Sequence, residues 1–167
     1  YDLPARHVLL ALGHSARDTF EMLHRVGLYM EPKPFAMGVR IEHRQSAIDA
    51  AQYRSLAGHP ALPPSTYKLS CHLPNGRSAF SFCVCPGGQV VAAASEPGRT
   101  VTNGMSVYAR DGENINGALL VNVTPADFPS DHPLAGIALQ RQLETAAYAL
   151  TGGFAAPCQR VAGFLTG

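Results

Sequence analysis

Three turn signals divide the middle of the sequence into short apolar runs, and they constrain the fold more than any other feature. They are Pro74-Asn75-Gly76, Pro86-Gly87-Gly88 and Glu96-Pro97-Gly98. The first is the strongest, because an Asn-Gly pair between alternating apolar residues favours a type I′ β-hairpin. A chain that reverses at such short intervals is typical of an antiparallel meander.

The apolar runs on either side of these turns predict the strands. They cover residues 35–42, 66–73, 78–85, 89–95 and 118–124, and residues 100–103 lead into the polar centre described below. In the second run, Tyr67, Leu69 and Cys71 alternate with polar residues, as expected for a strand with two different faces. These runs predict an antiparallel sheet of about four to six strands, which is a normal size.

Helical patterns surround the strands and complete an α+β fold. Residues 7–12 predict a strand that ends at Gly13, and a helix follows with Ser15 and Asp18 as a capping box and Gly27 at its C′ position. A second capping box, Ser46 and Asp49, predicts a helix over residues 46–53. Residues 131–151 predict a long helix on one face of the sheet, and its broad apolar face suggests that it is largely buried.

The composition limits the functional classes. Charged residues make up 15% of the chain, whereas about 25% is usual, so we expect another body to cover part of this surface. The net charge is +1 without a basic block, which leaves no electrostatic case for nucleic acid. No apolar run reaches the roughly 18 residues of a membrane span. The sequence opens at Tyr1, and we expect it to be a piece of a longer cytoplasmic protein.

The four cysteines leave two interpretations open. Cys83 and Cys85 share one face of a predicted strand, and a zinc site there needs two more ligands, for which Cys71 and His72 are candidates. Four cysteines without a C-x-x-C pair are more typical of buried, reduced thiols, which pack as small apolar side chains in a cytoplasmic protein. Cys158 fits the second interpretation only.

Residues 83–123 contain a polar centre rich in glycine and amides. Its candidate ligand-facing residues are Gly87, Gly88, Asn103, Gly104, Met105, Ser106, Arg110, Asn114 and Asn116. One interpretation is a run of tight hairpin turns; the other is the rim of a ligand site. Arginine pairs well with carboxylate or phosphate groups, so one interpretation of Arg110 is a ligand-binding residue. The other is a surface residue that pairs with Asp111 or Glu113. The common phosphate-binding and hydrolase motifs are absent from the sequence.

Several blocks resemble a known family. The blocks HVLLALGHSARDTFEML, FAMGVRIEHRQSAIDAAQY, CVCPGGQVVAAASEPGRTVTNGMSVYARDGENINGALLVNV and HPLAGIALQRQLE are similar to the central region of bacterial FAD-dependent dehydrogenases. In plan they look like the HI0933-like two-dinucleotide-fold flavoproteins. The turn beside FAD often reads Ala-Thr-Gly in that family, whereas this chain has Ala11-Leu12-Gly13.

The resemblance implies a fragment of an FAD-dependent oxidoreductase. Residues 1–27 would be a strand-turn-helix remnant of the FAD-binding domain, with Gly13, His14 and Ser15 near FAD. Residues 28–167 would be an inserted substrate or cap domain, whose polar centre faces flavin or substrate. The implied partners are a flanking FAD-binding domain of the same polypeptide and a small-molecule substrate, with hydride transfer between that substrate and the flavin.

The resemblance gives no catalytic residue, and it implies that FAD belongs to the parent protein while the isolated segment is empty and inactive. The alternative is a stand-alone binding or interaction module that could hold a metal through its cysteines.

Overall fold

The computed structural model describes residues 2–167. Tyr1, the first residue of the predicted FAD-domain remnant, lies outside the described residues. The α+β class is confirmed. The helices are Arg17–Arg25 (α1), Gln45–Tyr53 (α2), Ala135–Thr151 (α3) and Val161–Thr166 (α4). The strands are Phe35–Arg44 (β1), Ser70–His72 (β2), Ser78–Cys85 (β3), Gly88–Ala93 (β4), Val101–Ser106 (β5) and Asn114–Val123 (β6).

The six strands are all antiparallel and form two sheets. The larger sheet has the order β1-β6-β3-β2, and β4 and β5 form a separate pair. Strand β6 pairs with β1 from Phe35 opposite Val123 to Arg44 opposite Asn114, and it pairs with β3 on its other edge. Strands therefore follow sequence order only within the hairpins β2–β3 and β4–β5. The centre of the sheet is β6, which contains Ile115, a fully buried side chain.

The β2–β3 hairpin has the predicted turn with a different geometry. The Gly76 N–H donates to the Leu73 carbonyl at 3.0 Å, and the Leu73 N–H donates to the Arg77 carbonyl at 2.8 Å. Within the turn only Gly76 has a positive φ, at 81°. The hydrogen bond from Gly76 to Leu73 places Pro74 and Asn75 at the centre of the turn, and neither has a positive φ, so the turn is not the predicted type I′ turn on Asn75 and Gly76.

The predicted strand over residues 7–12 is wrong. These residues are extended but unpaired, and Leu9 is 90% exposed. A strand is defined by its hydrogen-bonded neighbour, and no other described segment pairs with this one through backbone hydrogen bonds. Gly13 does adopt the left-handed turn, with φ 73°, and α1 follows. The predicted helix of this segment and its end before Gly27, with φ 88°, are confirmed.

Neither predicted capping box forms. Helix α1 has Ala16 at its N-cap without a side-chain bond, and α2 begins at Gln45. The Asp49 carboxylate accepts hydrogen bonds from Ser65 instead, through the backbone N–H at 2.8 Å and the hydroxyl at 2.6 Å. A long-range partner has displaced the local one that the sequence pattern favours.

Helix α3 is less buried than its apolar pattern suggests, and the prediction of a largely buried helix is wrong. Leu143 is 48% exposed and Leu150 is 77% exposed. The helix meets the sheet at its first turn, where Gly136 lies against the rings of Phe35 and Phe128. Its second half is attached to α1 by charged side chains rather than by apolar contacts.

A buried ion network joins α1, α3 and the loop before β5. The Arg17 guanidinium lies 2.7 Å from both Glu96 and Glu144, and its side chain is only 3% exposed. Arg141 bridges Glu96 at 2.7 Å and Glu21 at 2.6 Å. The network crosses the predicted boundary between residues 27 and 28, so α1 is anchored to the rest of the chain.

We expect this network to make the fold sensitive to acid. Hydrogen bonds from Arg141 lower the pKa of Glu96 from 4.5 to about 2. A depressed carboxyl pKa contributes stability above pH 4.5, and that contribution is lost as the pH falls towards 2. Urea unfolding at a series of pH values should therefore give a constant free energy of unfolding above that range and a steady fall below it.

The variant Glu96→Gln should show a shallower fall over the same pH interval, with Asp111→Asn, an exposed loop substitution, as the control. Part of the slope should persist in Glu96→Gln, because Arg77 also holds the pKa of Asp127 below its ordinary value. An unchanged slope in Glu96→Gln would assign the acid sensitivity to other carboxylates.

Candidate functional site

The Pro86-Gly87-Gly88 turn lies inside the molecule. The Gly87 N–H donates to the Gln45 side-chain oxygen at 2.9 Å, and Gln45 also donates to the Ser65 carbonyl at 3.0 Å. Gly87 has φ 57°, and a Cβ at this position would overlap the Arg110 carbonyl oxygen. Only glycine combines this φ with so close an approach. The turn thus connects α2, β3 and the loop after β5.

Arg40 of β1 and Asn116 of β6 form a polar pair within the larger sheet, at the point where Gly104 of β5 lies against it. The Arg40 guanidinium donates to the Asn116 side-chain oxygen at 2.7 and 3.0 Å and to the Cys83 carbonyl at 2.8 Å. Asn116 is fully buried, and its amide nitrogen has no hydrogen-bond partner among residues 2–167. A Cβ at Gly104 would overlap both side chains, so the glycine lets β5 approach this pair.

The remaining residues of the predicted polar centre fall into two groups. Ser106 donates its hydroxyl to the Pro86 carbonyl at 2.8 Å, and Asn114 donates to Glu42 at 2.9 Å, so both have partners within the fold. Asn103, Met105 and Arg110 are exposed. They are the members of the set that a ligand could reach without displacing protein.

Arg110 has a backbone conformation that is unusual for its type, with φ 53°. In the described part of the chain it forms no ion pair with Asp111 or Glu113, and Glu113 instead pairs with Arg44. Its guanidinium is therefore available to an anion. Strand β1 supplies a second arginine, Arg40, that the sequence analysis missed. An arginine inside an apolar strand pattern was the available signal, but its partner Asn116 lies 76 residues further along the chain.

Gly13, His14 and Ser15 lie apart from the polar centre, in an exposed loop before α1. The loop borders an open apolar groove of about 380 Å³, lined by Leu10, Ala11, Leu12, Gly13, Phe20, Leu23, Leu28 and Met30. A Cβ at Gly13 would meet nothing within 4 Å. The nearby Arg17 points away into the ion network, so it gives the groove no positive charge.

A histidine and a tyrosine that the sequence analysis did not select form a second polar pair. The His43 ring nitrogen and the Tyr67 hydroxyl are 3.1 Å apart. Burial lowers the pKa of His43 and raises the pKa of Tyr67, which favours the neutral form of both groups at pH 7. The adjacent Gly117 gives the Tyr67 hydroxyl its space.

Comparison with known protein families shows which family this chain belongs to. Residues 34–167 match the model of the family described as "FAD-dependent protein, C-terminal domain-like". The chain belongs to this family. It is also 50% identical over 160 residues to an uncharacterized protein of Clostridium beijerinckii, and the match covers 95% of the chain. The chain spans 30% of the length of that relative.

The cysteines of this FAD-dependent C-terminal-like domain are not the buried thiols that we predicted. Cys71, Cys83 and Cys158 are exposed, and Cys85 is half-buried. Cys71 lies on the short edge strand β2 and Cys83 at an irregularity of β3, so neither has a layer packed over it. Across residues 2–167 no group of three or more His, Cys, Asp or Glu side chains is arranged to hold a metal ion.

None of the helices described for this domain is both long and apolar enough to cross a membrane.

Proposed function

We propose that this chain is the substrate-side or cap domain of a longer FAD-dependent oxidoreductase with the two-dinucleotide-fold plan, located in the cytoplasm. Its partners would be a flanking FAD-binding domain of the same polypeptide and a small-molecule substrate. The observation that carries the proposal is the open apolar groove beside Gly13. Membership of an FAD-dependent family and the 30% share of the relative support the same conclusion.

The amount of exposed surface supports a covering domain. The chain exposes 12090 Å², whereas a compact monomer of its mass exposes about 8,000 Å². Large apolar side chains contribute to the excess, among them Val8, Leu9, Tyr29 and Leu165. Where such side chains adjoin, as along the groove beside Gly13, exposed apolar surface usually marks an interaction site. The unpaired residues 7–12 are suited to joining a sheet of the flanking domain, since extended backbone with free N–H and C=O groups pairs readily with a neighbouring strand.

The groove fits a flat ring of FAD better than its pyrophosphate. Its lining is apolar, and Arg17, at the start of the helix beside it, is already paired with two carboxylates. Gly13 allows a ring to approach the backbone, because no side chain stands above it. Leu10, Leu12 and Phe20 would exclude water from that face. We assign contact with the cofactor to Gly13, His14 and Ser15 on this basis.

The polar centre would lie on the substrate side. Bound FAD supplies hydride acceptance in such enzymes, so the task of this domain is to hold and orient the substrate. Arg110 is placed to bind an anionic group, and Asn103 and Met105 are exposed beside it along the chain. Gly87, Gly88, Gly104, Ser106, Asn114 and Asn116 would fix the backbone that presents these three side chains.

The proposal is tested by visible absorption spectra of the chain alone and of the longer parent. We expect a yellow parent and a colourless chain. In the parent, Leu12→Asp should reduce bound flavin at least tenfold, because it introduces a charge into the groove. Leu56→Asp, at another exposed leucine, should leave flavin content unchanged. A colourless parent that takes up no added FAD would instead favour a stand-alone binding module.

A further inference from the structure

Strand β3 carries two thiols, Cys83 and Cys85, where its regular pairing breaks. The register with β6 shifts between Phe82 and Cys85, and Cys83 has φ 47°, a left-handed conformation that L-residues other than glycine rarely adopt. In a regular strand, residues two apart are roughly 6–7 Å apart. A disulfide needs Cβ atoms about 3.5–4.5 Å apart, so a regular strand could not join these two cysteines.

The irregularity brings Cys85 back over Cys83. The Cys85 thiol donates a hydrogen bond to the Cys83 carbonyl oxygen at 3.4 Å. The carbonyl group and the side chain of Cys83 both branch from the same Cα atom, so the Cys85 sulfur lies beside residue 83 itself. The disulfide proposed below requires rotation of the Cys83 side chain about χ1 towards this sulfur atom.

The two thiols differ in their surroundings. Cys83 is exposed, whereas Cys85 is half-buried and lies 3.7 Å from the Arg40 guanidinium. Burial raises the pKa of Cys85, and the positive charge of Arg40 acts in the opposite direction. A small disulfide can therefore reach Cys83 first. In the second step, in which Cys85 reacts, the positive charge of Arg40 stabilises the Cys85 thiolate.

We propose that Cys83 and Cys85 form a reversible dithiol–disulfide site that reacts with low-molecular-weight disulfides. The Cys83 thiolate attacks one sulfur of the small disulfide, which releases one small thiol and leaves a mixed disulfide on Cys83. The Cys85 thiolate then attacks the Cys83 sulfur and releases the second small thiol. The protein loses two protons and two electrons, and the small disulfide gains both. This site does not depend on the proposed flavin chemistry.

Closure of the disulfide has a structural consequence. The Cys85 sulfur leaves the Cys83 carbonyl and the Arg40 guanidinium, the side chain that links β1 to β6 through Asn116. The ring closed by a Cys-x-Cys pair is small, and strained or exposed disulfides are the labile and regulatory ones. Oxidation of this site would therefore be easily reversed by thiols, and it would act on the Arg40–Asn116 link between β1 and β6.

The test uses the variant Cys71→Ser/Cys158→Ser, which removes the two other exposed thiols and keeps the pair. After incubation with oxidised glutathione, we expect loss of both remaining thiols towards maleimide, no added glutathione in the intact mass, and full recovery with dithiothreitol. Adding Cys85→Ser should instead trap one glutathione on Cys83. If this variant does not fold, peptide mapping of the oxidised wild-type chain gives the same information.

Three results would overturn the proposal. They are two glutathione adducts on the double variant, disulfide-linked dimers as the main product, and two thiols that stay free in an excess of oxidised glutathione. Peptide mapping that joins Cys83 or Cys85 to Cys71 or Cys158 in the wild-type chain would overturn it as well.

Discussion

Replacing Arg17 with alanine should lower the free energy of unfolding of the chain by about 3–5 kcal/mol. Arg17 is 3% exposed and contacts Glu96 and Glu144, whose own side chains are 20% and 8% exposed. Removing the guanidinium leaves Glu144 with a buried and uncompensated charge, which costs far more than the intact ion pair contributes. Urea unfolding followed by circular dichroism measures the change.

Two further variants give this prediction its control and its rescue. Arg25→Ala removes an exposed arginine from the last turn of the same helix, and a surface substitution of this kind usually changes stability by less than about 0.5 kcal/mol. Arg17→Met combined with Glu144→Leu removes both charges and should recover most of the loss. If Arg17→Ala and Arg25→Ala cost the same, the network does not hold α1 in place.

The strands that could be predicted from the sequence are those whose signals are local. Strand β3 was predicted with its observed bounds, 78–85, because a Pro-Asn-Gly turn precedes it and a Pro-Gly-Gly turn follows it. The pairing of β1 with β6 could not be predicted, since the two strands are far apart in the sequence and their apolar patterns do not specify partners. The error at residues 7–12 has the same physical origin. The apolar pattern of a segment is local, whereas a β-strand also needs a second strand to pair with.

In the candidate site, too, the features that depend on one residue could be predicted, and those that depend on residues distant in the sequence could not. Positive φ at Gly87 and close approach at Gly104 follow from residue type, and both occur. The groups that they approach, the Arg110 carbonyl and the Arg40–Asn116 pair, depend on tertiary packing. Ion pairs also explain the exposure of α3, for which the apolar periodicity of the sequence predicted burial. Arg141 and Glu144 hold the helix to α1 and the loop at Glu96, so its leucines are left exposed.

Gly87→Ala should be the second strongly destabilising substitution. A left-handed backbone costs an ordinary residue about 1–2 kcal/mol, and overlap with a packed neighbour costs about 1–3 kcal/mol more. Both apply at Gly87, whose added Cβ would overlap the Arg110 carbonyl oxygen. Gly98→Ala is the matched control, because Gly98 has φ 70° and nothing within 4 Å of an added Cβ.

The difference between the two free energies of unfolding isolates the steric part of the effect. We expect Gly87→Ala to lose at least about 1 kcal/mol more than Gly98→Ala, since only Gly87 is opposed by backbone atoms. Shortening the neighbour cannot relieve this overlap, because the atom concerned is the Arg110 carbonyl oxygen and not its side chain. Arg110→Ala should therefore leave the cost of Gly87→Ala unchanged. Equal losses in Gly87→Ala and Gly98→Ala would mean that the 110–112 loop moves aside freely, and the turn would then not fix the position of Arg110.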